Sequence, residues 1–248
     1  MDKVLLITGG SRGIGAATAR LAARQGWAVA VNYSSHSLAA DTVVREIRAG
    51  GGNAITVQAD VADEAQVLAM FAQVDAQLGR LTGLVNNAGV VDRAARVDEM
   101  SVARWRRLLD INILGSFLCA REAVRRMSTR HGGTGGAIVN VSSVAARLGA
   151  PGQYVDYAAT KGAIDTFTVG LAREVATEGV RVNGIRPGVI DTEIHASGGQ
   201  PERAWQLATS IPMKRPGTAQ EIAHAIVWLL SDEASYATGS ILDVTGGR

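Results

Sequence analysis

Tyr157 and Lys161 stand four residues apart in the stretch "YVDYAATKGAID", and that spacing has chemistry in it. On an α-helix two such side chains leave the same face one turn apart, whereas Tyr154 lies seven residues from the lysine. A phenol ordinarily keeps its proton to about pH 10, and a fixed ammonium beside it favours the phenolate. Easier proton exchange near neutrality is what a general acid or base requires. A lone Y-x-x-x-K is also what a solvated helix face looks like, so the pair needs support from the elements around it. No His, Asp and Glu cluster has metal-ligand spacing, and Cys119, the single cysteine, sits in the apolar run "ILGSFLCA" as a small buried side chain.

The hydrophobic pattern supplies those elements. "KVLLIT" reads as a strand that stops at "GGSRGIG", after which "AATARLAARQG" takes up helical periodicity and closes on Gly26. The cycle recurs with strands at "WAVAVN", "AITVQAD", "LTGLVNN", "AIVNVSS", "VRVNGIRPG" and "SILDVTGG". Between them lie helical patterns, among them a region from about Ser101 to Arg130, a long helix from Tyr154 to about Thr177, and "QEIAHAIVWLLSD". Alternation of this kind predicts an α/β fold, a parallel sheet covered by helices on both faces. No linker rich in Pro, Ser or charge interrupts it, so one domain over 1–248 is expected. Residues 191–217 mix chain breakers with a short helical pattern, which suits a mobile lid.

The glycine loop that follows the first strand offers backbone N–H groups and the positive end of a helix to an anion, most often a pyrophosphate. Its spacing, Gly9-x-x-x-Gly13-x-Gly15, departs from the G-x-G-x-x-G dinucleotide fingerprint. The second strand bears on which dinucleotide is held. A carboxylate there would grip the ribose hydroxyls of NAD, yet the strand ends without an acid in Asn32, Tyr33 and Ser34, the expected cofactor contacts. Arg12, inside the loop, supplies a cation for a 2′-phosphate, so NADP(H) is preferred over NAD(H).

Composition excludes other classes. With 47% hydrophobic but only 4% aromatic residues, and 29 glycines, the core must be built from Ala, Val, Ile and Leu with many tight turns. The formal charge is +2, and the arginines of "VARWRRLLD" and "REAVRRM" alternate with apolar residues as on half-buried helices. No basic block or aromatic array accompanies them, which argues against nucleic acid as a partner. The opening "MDKVLLITGG" lacks a basic n-region and no apolar run is long enough to span a bilayer, so a soluble cytoplasmic protein without a membrane partner is expected.

Five motifs in order carry a resemblance: "TGGSRGIG" (Thr8 to Gly15), "NNAG" (Asn86 to Gly89), "NILG" (Asn112 to Gly115), "VSS" (Val141 to Ser143) and "RPGVIDT" (Arg186 to Thr192). Together with "YAATK" they resemble those of the short-chain dehydrogenase/reductase (SDR) family across essentially the whole chain. The resemblance implies a Rossmann-type, doubly wound, mostly seven-stranded parallel sheet. It implies that Tyr157 donates or accepts the proton and that Lys161 lowers the phenol pKa and holds the nicotinamide ribose. Ser143 would hydrogen-bond the oxygen of a carbonyl or alcohol substrate, and Asn112 would position a water between Lys161 and solvent. Further cofactor contacts carried over are Gly9, Ser11, Arg12, Gly13, Ile14 and Gly15 in the loop, and Asp60 and Val61 at adenine. Asn87, Ala88 and Gly89 would lie at the adenosine ribose, and Pro187, Gly188, Ile190 and Thr192 at the nicotinamide end.

Several readings stay open at this point. Ser143 precedes Tyr157 by fourteen residues where many relatives have thirteen, and Ser142 is adjacent, although strand neighbours face opposite ways. Asp60 could instead cap the following helix, Thr192 could cap a lid helix, and His195 could be a substrate contact or an exposed loop residue. The C-terminal segment resembles the family's subunit-contact region, which implies a homotetramer; core packing of Trp228 and Leu229 is the alternative. The leading function is an NADP(H)-dependent oxidoreductase interconverting a secondary alcohol and a ketone. A non-catalytic dinucleotide sensor, a structural protein, or an epimerase or dehydratase on the same fold are the alternatives.

Overall fold

Every residue of the first strand, β1 (Val4–Ile7, "VLLI"), is buried, as a strand covered on both faces must be. The computed structural model describes residues 3–248; Met1 and Asp2, which begin the stretch read for a leader, lie outside it. Six more strands join β1 in one parallel sheet: β2 (Ala28–Tyr33), β3 (Ala54–Gln58), β4 (Gly83–Asn86), β5 (Gly136–Val141), β6 (Val180–Pro187) and β7 (Ile241–Val244). Their order is β3-β2-β1-β4-β5-β6-β7, the doubly wound arrangement expected from the sequence. The order reverses between β1 and β4, and in such sheets the crevice beyond the carboxyl ends of those strands is where ligands bind.

Alternate residues of each strand feed two apolar layers. Leu5, Ile7, Val29, Val31 and Val85 pack on one face against α1 (Gly13–Arg24), α2 (Ser37–Ala49) and α10 (Ala219–Leu230). Val4, Leu6, Ala30, Leu84 and Ile138 pack on the other against α3 (Glu64–Leu78), α5 (Gly115–Met127) and α7 (Val155–Val175), and Cys119 is fully buried there. The helix starts follow the sequence: Asp63 caps α3 by accepting the Gln66 N–H at 3.1 Å, and Thr218 and Glu221 form a reciprocal cap on α10.

Three features near the site differ from the sequence expectation. The helical region from Ser101 is two helices, α4 (Val102–Leu109) and α5, joined by a π-turn at Asp110–Leu114 that carries Asn112. A four-residue helix, α6 (Ala145–Leu148), follows β5 where the pattern predicts none. The segment 191–217 holds two short helices, α8 (Ile194–Ser197) and α9 (Arg203–Gln206), and its far end is tied back through a single Ile190–Gly217 bridge. Among the described residues no helix is long and apolar enough to cross a membrane.

Candidate active site

The glycine loop lies over the β1–β4 crevice, and its glycines are there for space and for φ. A Cβ on Gly15 would sit 2.5 Å from the Gly9 carbonyl oxygen and 2.7 Å from the Asn87 amide, a clash that leaves only Gly at this position. Gly9 and Gly13 have φ of +60° and +52°, the left-handed region. Arg12, at the N-cap of α1, is extended and makes no capping hydrogen bond, so the first-turn N–H groups face outward without a side-chain partner. Open donors at a helix N-terminus, approached closely by glycine backbone, fit a dinucleotide pyrophosphate. Ser11 and Ile14 are half-buried in the same loop, Arg12 is exposed, and no carboxylate among the described residues pairs with it.

The polar residues beneath the loop hold its shape. Asn87 donates to Thr8 O at 2.9 Å and Gly9 O at 3.0 Å, while the Thr8 hydroxyl accepts the Asn87 and Ala88 N–H groups, each at 3.0 Å. Asn32 is read from the sequence as a cofactor contact, and the structure differs. Its side chain turns inward, accepting Gly9 N–H at 3.1 Å and donating to Val57 O and Ala59 O, so it fastens the loop. Tyr33 is half-buried and Ser34 exposed beyond it. Val61, 5% exposed, is wedged against Gly115 and turned into the core, and Asp60 accepts the Ala62 N–H rather than capping α3. Thr192 does not cap α8; a Cβ on Gly13 would meet it at 3.4 Å, which puts it beside the loop.

Tyr157, Lys161 and Ser143 meet at the carboxyl ends of β4 and β5. Lys161 is buried, donates to Val141 O at 2.8 Å, and holds its ammonium 5.6 Å from the centroid of the Tyr157 ring. Burial pushes the lysine pKa down to about 8, opposed by the charge of Asp165 one turn further along α7. The sequence predicts a phenol pulled down by Lys161, but burial is the larger effect on its pKa. Burial pushes the Tyr157 phenol up to about 12, and the group that pulls it back is the Ser143 hydroxyl. The Lys161 ammonium stands over the ring and is itself desolvated. At neutral pH the phenol therefore holds its proton beside a cation, the state of a proton donor.

The two serines have separate places. Ser142 is buried and donates to Lys161 O at 3.1 Å, tying β5 to α7, whereas half-buried Ser143 is the one beside Tyr157. Between Ser143 and Tyr157 the chain forms α6 and then a loop in which Gly149, Ala150 and Gly152 all take positive φ. Asn112 accepts Val90 N–H at 2.8 Å and donates to Val90 O and the Thr160 hydroxyl. Its side chain is thereby committed to protein partners, yet a Cβ on Gly89 would lie 3.5 Å from both Asn112 Oδ1 and Lys161 Nζ, so the two are neighbours.

A cavity of about 560 Å³ opens onto these groups. Ile14, Asn87 and Gly89 line its loop side; Pro187, Gly188, Ile190 and Thr192 line another wall. Val91, on the loop after β4, reaches it as well. His195 lines it too, giving its Nε2–H to Ile190 O at 2.9 Å, and burial lowers its pKa so that the ring is neutral at pH 7. Gln153 and Arg203 also line it and carry no signal in the sequence, where "PERAWQ" reads as an ordinary polar helix.

The sequence from residue 9 to 248 matches a family model described as Enoyl-(Acyl carrier protein) reductase. A solved Serratia marcescens short-chain dehydrogenase/reductase, in a mutant form, superposes with a TM-score of 0.91 at 34% identity, covering 99% of this chain and 97% of that one. The chain belongs to the short-chain dehydrogenase/reductase family. Within the SDR family it is 56% identical over 245 residues to the Escherichia coli protein described as uncharacterized oxidoreductase YgfF, covering 99% of each. It is 40% identical to the 3-oxoacyl-[acyl-carrier-protein] reductase FabG of Staphylococcus aureus, covering 100% of this chain and 98% of the relative. An SDR oxidoreductase using a nicotinamide dinucleotide follows from that membership.

Proposed function

We propose that this SDR is an NADP(H)-preferring reductase that interconverts a ketone and a secondary alcohol, with Tyr157 as the proton donor. The observation that carries the proposal is the meeting of a proton-holding phenol, the Ser143 hydroxyl beside it and a cationic amine at the rim of a dinucleotide-shaped cradle. When bound, the reduced nicotinamide supplies hydride to a carbonyl carbon. Ser143 and Tyr157 would donate hydrogen bonds to the oxygen on which negative charge grows, and Tyr157 would then release its proton to that oxygen. Lys161, cationic below about pH 8, would stabilise the phenolate left behind and reach the nicotinamide ribose. Asn112, locked by Val90 and Thr160, would keep the wall beside Lys161 in place and hold the route by which the proton is replaced.

The NADP(H) preference rests on Arg12, exposed and without a carboxylate partner among the described residues, and on a β2 end that carries no acid. The name of the Staphylococcus aureus relative, a 3-oxoacyl reductase, supports a ketone as substrate. We further propose a single domain over 1–248 with 191–217 as the lid, a cytoplasmic location, and a homotetramer. Leu229 packs in the core at 1% exposed, whereas the exposure of Trp228 (42%) and Leu242 (38%) near the C-terminus supports subunit contact at those two side chains. The test is nicotinamide absorbance followed with NADPH and then NADH over ketones, diketones, quinones and sugars. Reduction of a ketone with NADPH ahead of NADH is expected; no turnover with either dinucleotide would contradict the proposal.

A further inference from the structure

The cavity has an unbalanced charge that proton transfer does not use. Lys161, His195, Arg203 and Arg248 line it, and among the described residues no Asp or Glu does. Lys161 belongs to the proton machinery, His195 is neutral at pH 7, and Arg248 is exposed, so Arg203 is the fixed cation left to explain.

Arg203 is held as a recognition group would be. Its guanidinium donates to the side-chain carbonyl oxygens of Gln153 at 2.7 Å and Gln200 at 3.1 Å, and stacks 5.1 Å from the centroid of the Tyr154 ring. Gln200 also accepts the Tyr154 hydroxyl at 3.3 Å, which closes the frame. These partners are neutral, and among the described residues no carboxylate pairs with Arg203. Two bonds leave the planar fork with uncommitted N–H donors, the group best suited to bidentate capture of a carboxylate or phosphate. The anchors also set its location. Gln153 and Tyr154 stand at the start of α7, immediately before Tyr157, so the charge sits on the substrate side of the cavity and away from the glycine loop. The same cavity has apolar lining from Val144, Leu148, Val189 and Ile194.

We propose that Arg203 is the specificity-determining residue of this site and that the substrate is an anionic carbonyl compound, or its alcohol, with an apolar body joining the reacting carbon to a carboxylate or phosphate. This rests on the oxidoreductase reading above for the carbonyl, but the anion preference is separable from it. The test is calorimetric titration of the protein with 3-phenylpropanoate, 2-phenylethylphosphonate and the neutral 3-phenylpropanamide. Wild type is expected to bind at least one anion about tenfold or more tightly than the amide, the scale of one charge-assisted hydrogen bond. Arg203→Gln should erase that ratio and Arg203→Lys should restore part of it, which separates charge from packing on Tyr154. Which anion gains more distinguishes carboxylate from phosphate. Equal binding of anions and amide by wild type, absence of binding by all three, or a ratio that survives Arg203→Gln overturns the proposal. A parallel assay compares keto acids with their methyl esters. Turnover of neither series would count against the oxidoreductase reading, while the calorimetric ratio would still decide the anion site.

Discussion

Replacing Lys161 with methionine should make the protein more stable and less active at once. Burial holds the lysine at about 8 against an ordinary 10.5. At about 1.4 kcal/mol per pKa unit, keeping it charged in the fold at pH 7 costs about 3 kcal/mol. Methionine matches the length of the stem and gives up the bond to Val141 O, worth about 1 kcal/mol, so Lys161→Met should stabilise by about 2 kcal/mol at pH 7. The sign with pH follows from proton counts. Between pH 8 and 10.5 the unfolded lysine still binds a proton that the folded one has released, so wild-type stability rises with pH there. Urea denaturation of both proteins at pH 7 and at pH 9.5 should show the variant's advantage shrinking toward zero at the higher pH. Catalysis should fall by about 100-fold or more, since the phenolate loses its cation. A variant less stable than wild type at pH 7, or an advantage that does not change with pH, would refute the reasoning.

Ser143→Ala should lower kcat by about 100-fold, on the scale of one lost oxyanion donor. Ser142→Ala should instead cost about 1 kcal/mol in a denaturant melt, through its bond to Lys161 O, and leave more activity. Gly15→Ala forces a Cβ against the Gly9 carbonyl and should abolish dinucleotide binding measured by fluorescence or calorimetry while the sheet still folds by circular dichroism. Arg12→Ala should raise KM for NADPH by about tenfold and leave that for NADH unchanged; equal effects on both would count against a 2′-phosphate contact.

Much of this architecture is written in local pattern. All seven strands and the long helices fall where apolar runs and glycine stops predict them, because a doubly covered parallel sheet needs continuous apolar strands. The short α6 has too few residues to show a period, and the π-turn at Asp110–Leu114 carries Asn112, whose side-chain bonds reach Val90 and Thr160, far apart in sequence. The pairing of Tyr157 with Lys161 is legible from their spacing, but the direction in which the phenol shifts is not. Desolvation depends on everything packed around a group, and no spacing encodes it. Asn32 shows the same limit, since a polar residue at a strand end reads alike whether it faces a ligand or ties down a loop. Arg203 is hidden in the sequence because its meaning depends on two glutamines and a tyrosine brought to it by the fold.

The central claim is that Tyr157 delivers the proton, and Tyr157→Phe tests it most directly. The variant removes one hydroxyl from a ring already packed against α7 and the cavity, so dinucleotide affinity measured by calorimetry should stay within about twofold while ketone reduction by NADPH falls by a factor of about 1000. Reduction that persists within about tenfold of wild type, with the dinucleotide still bound, would contradict the account.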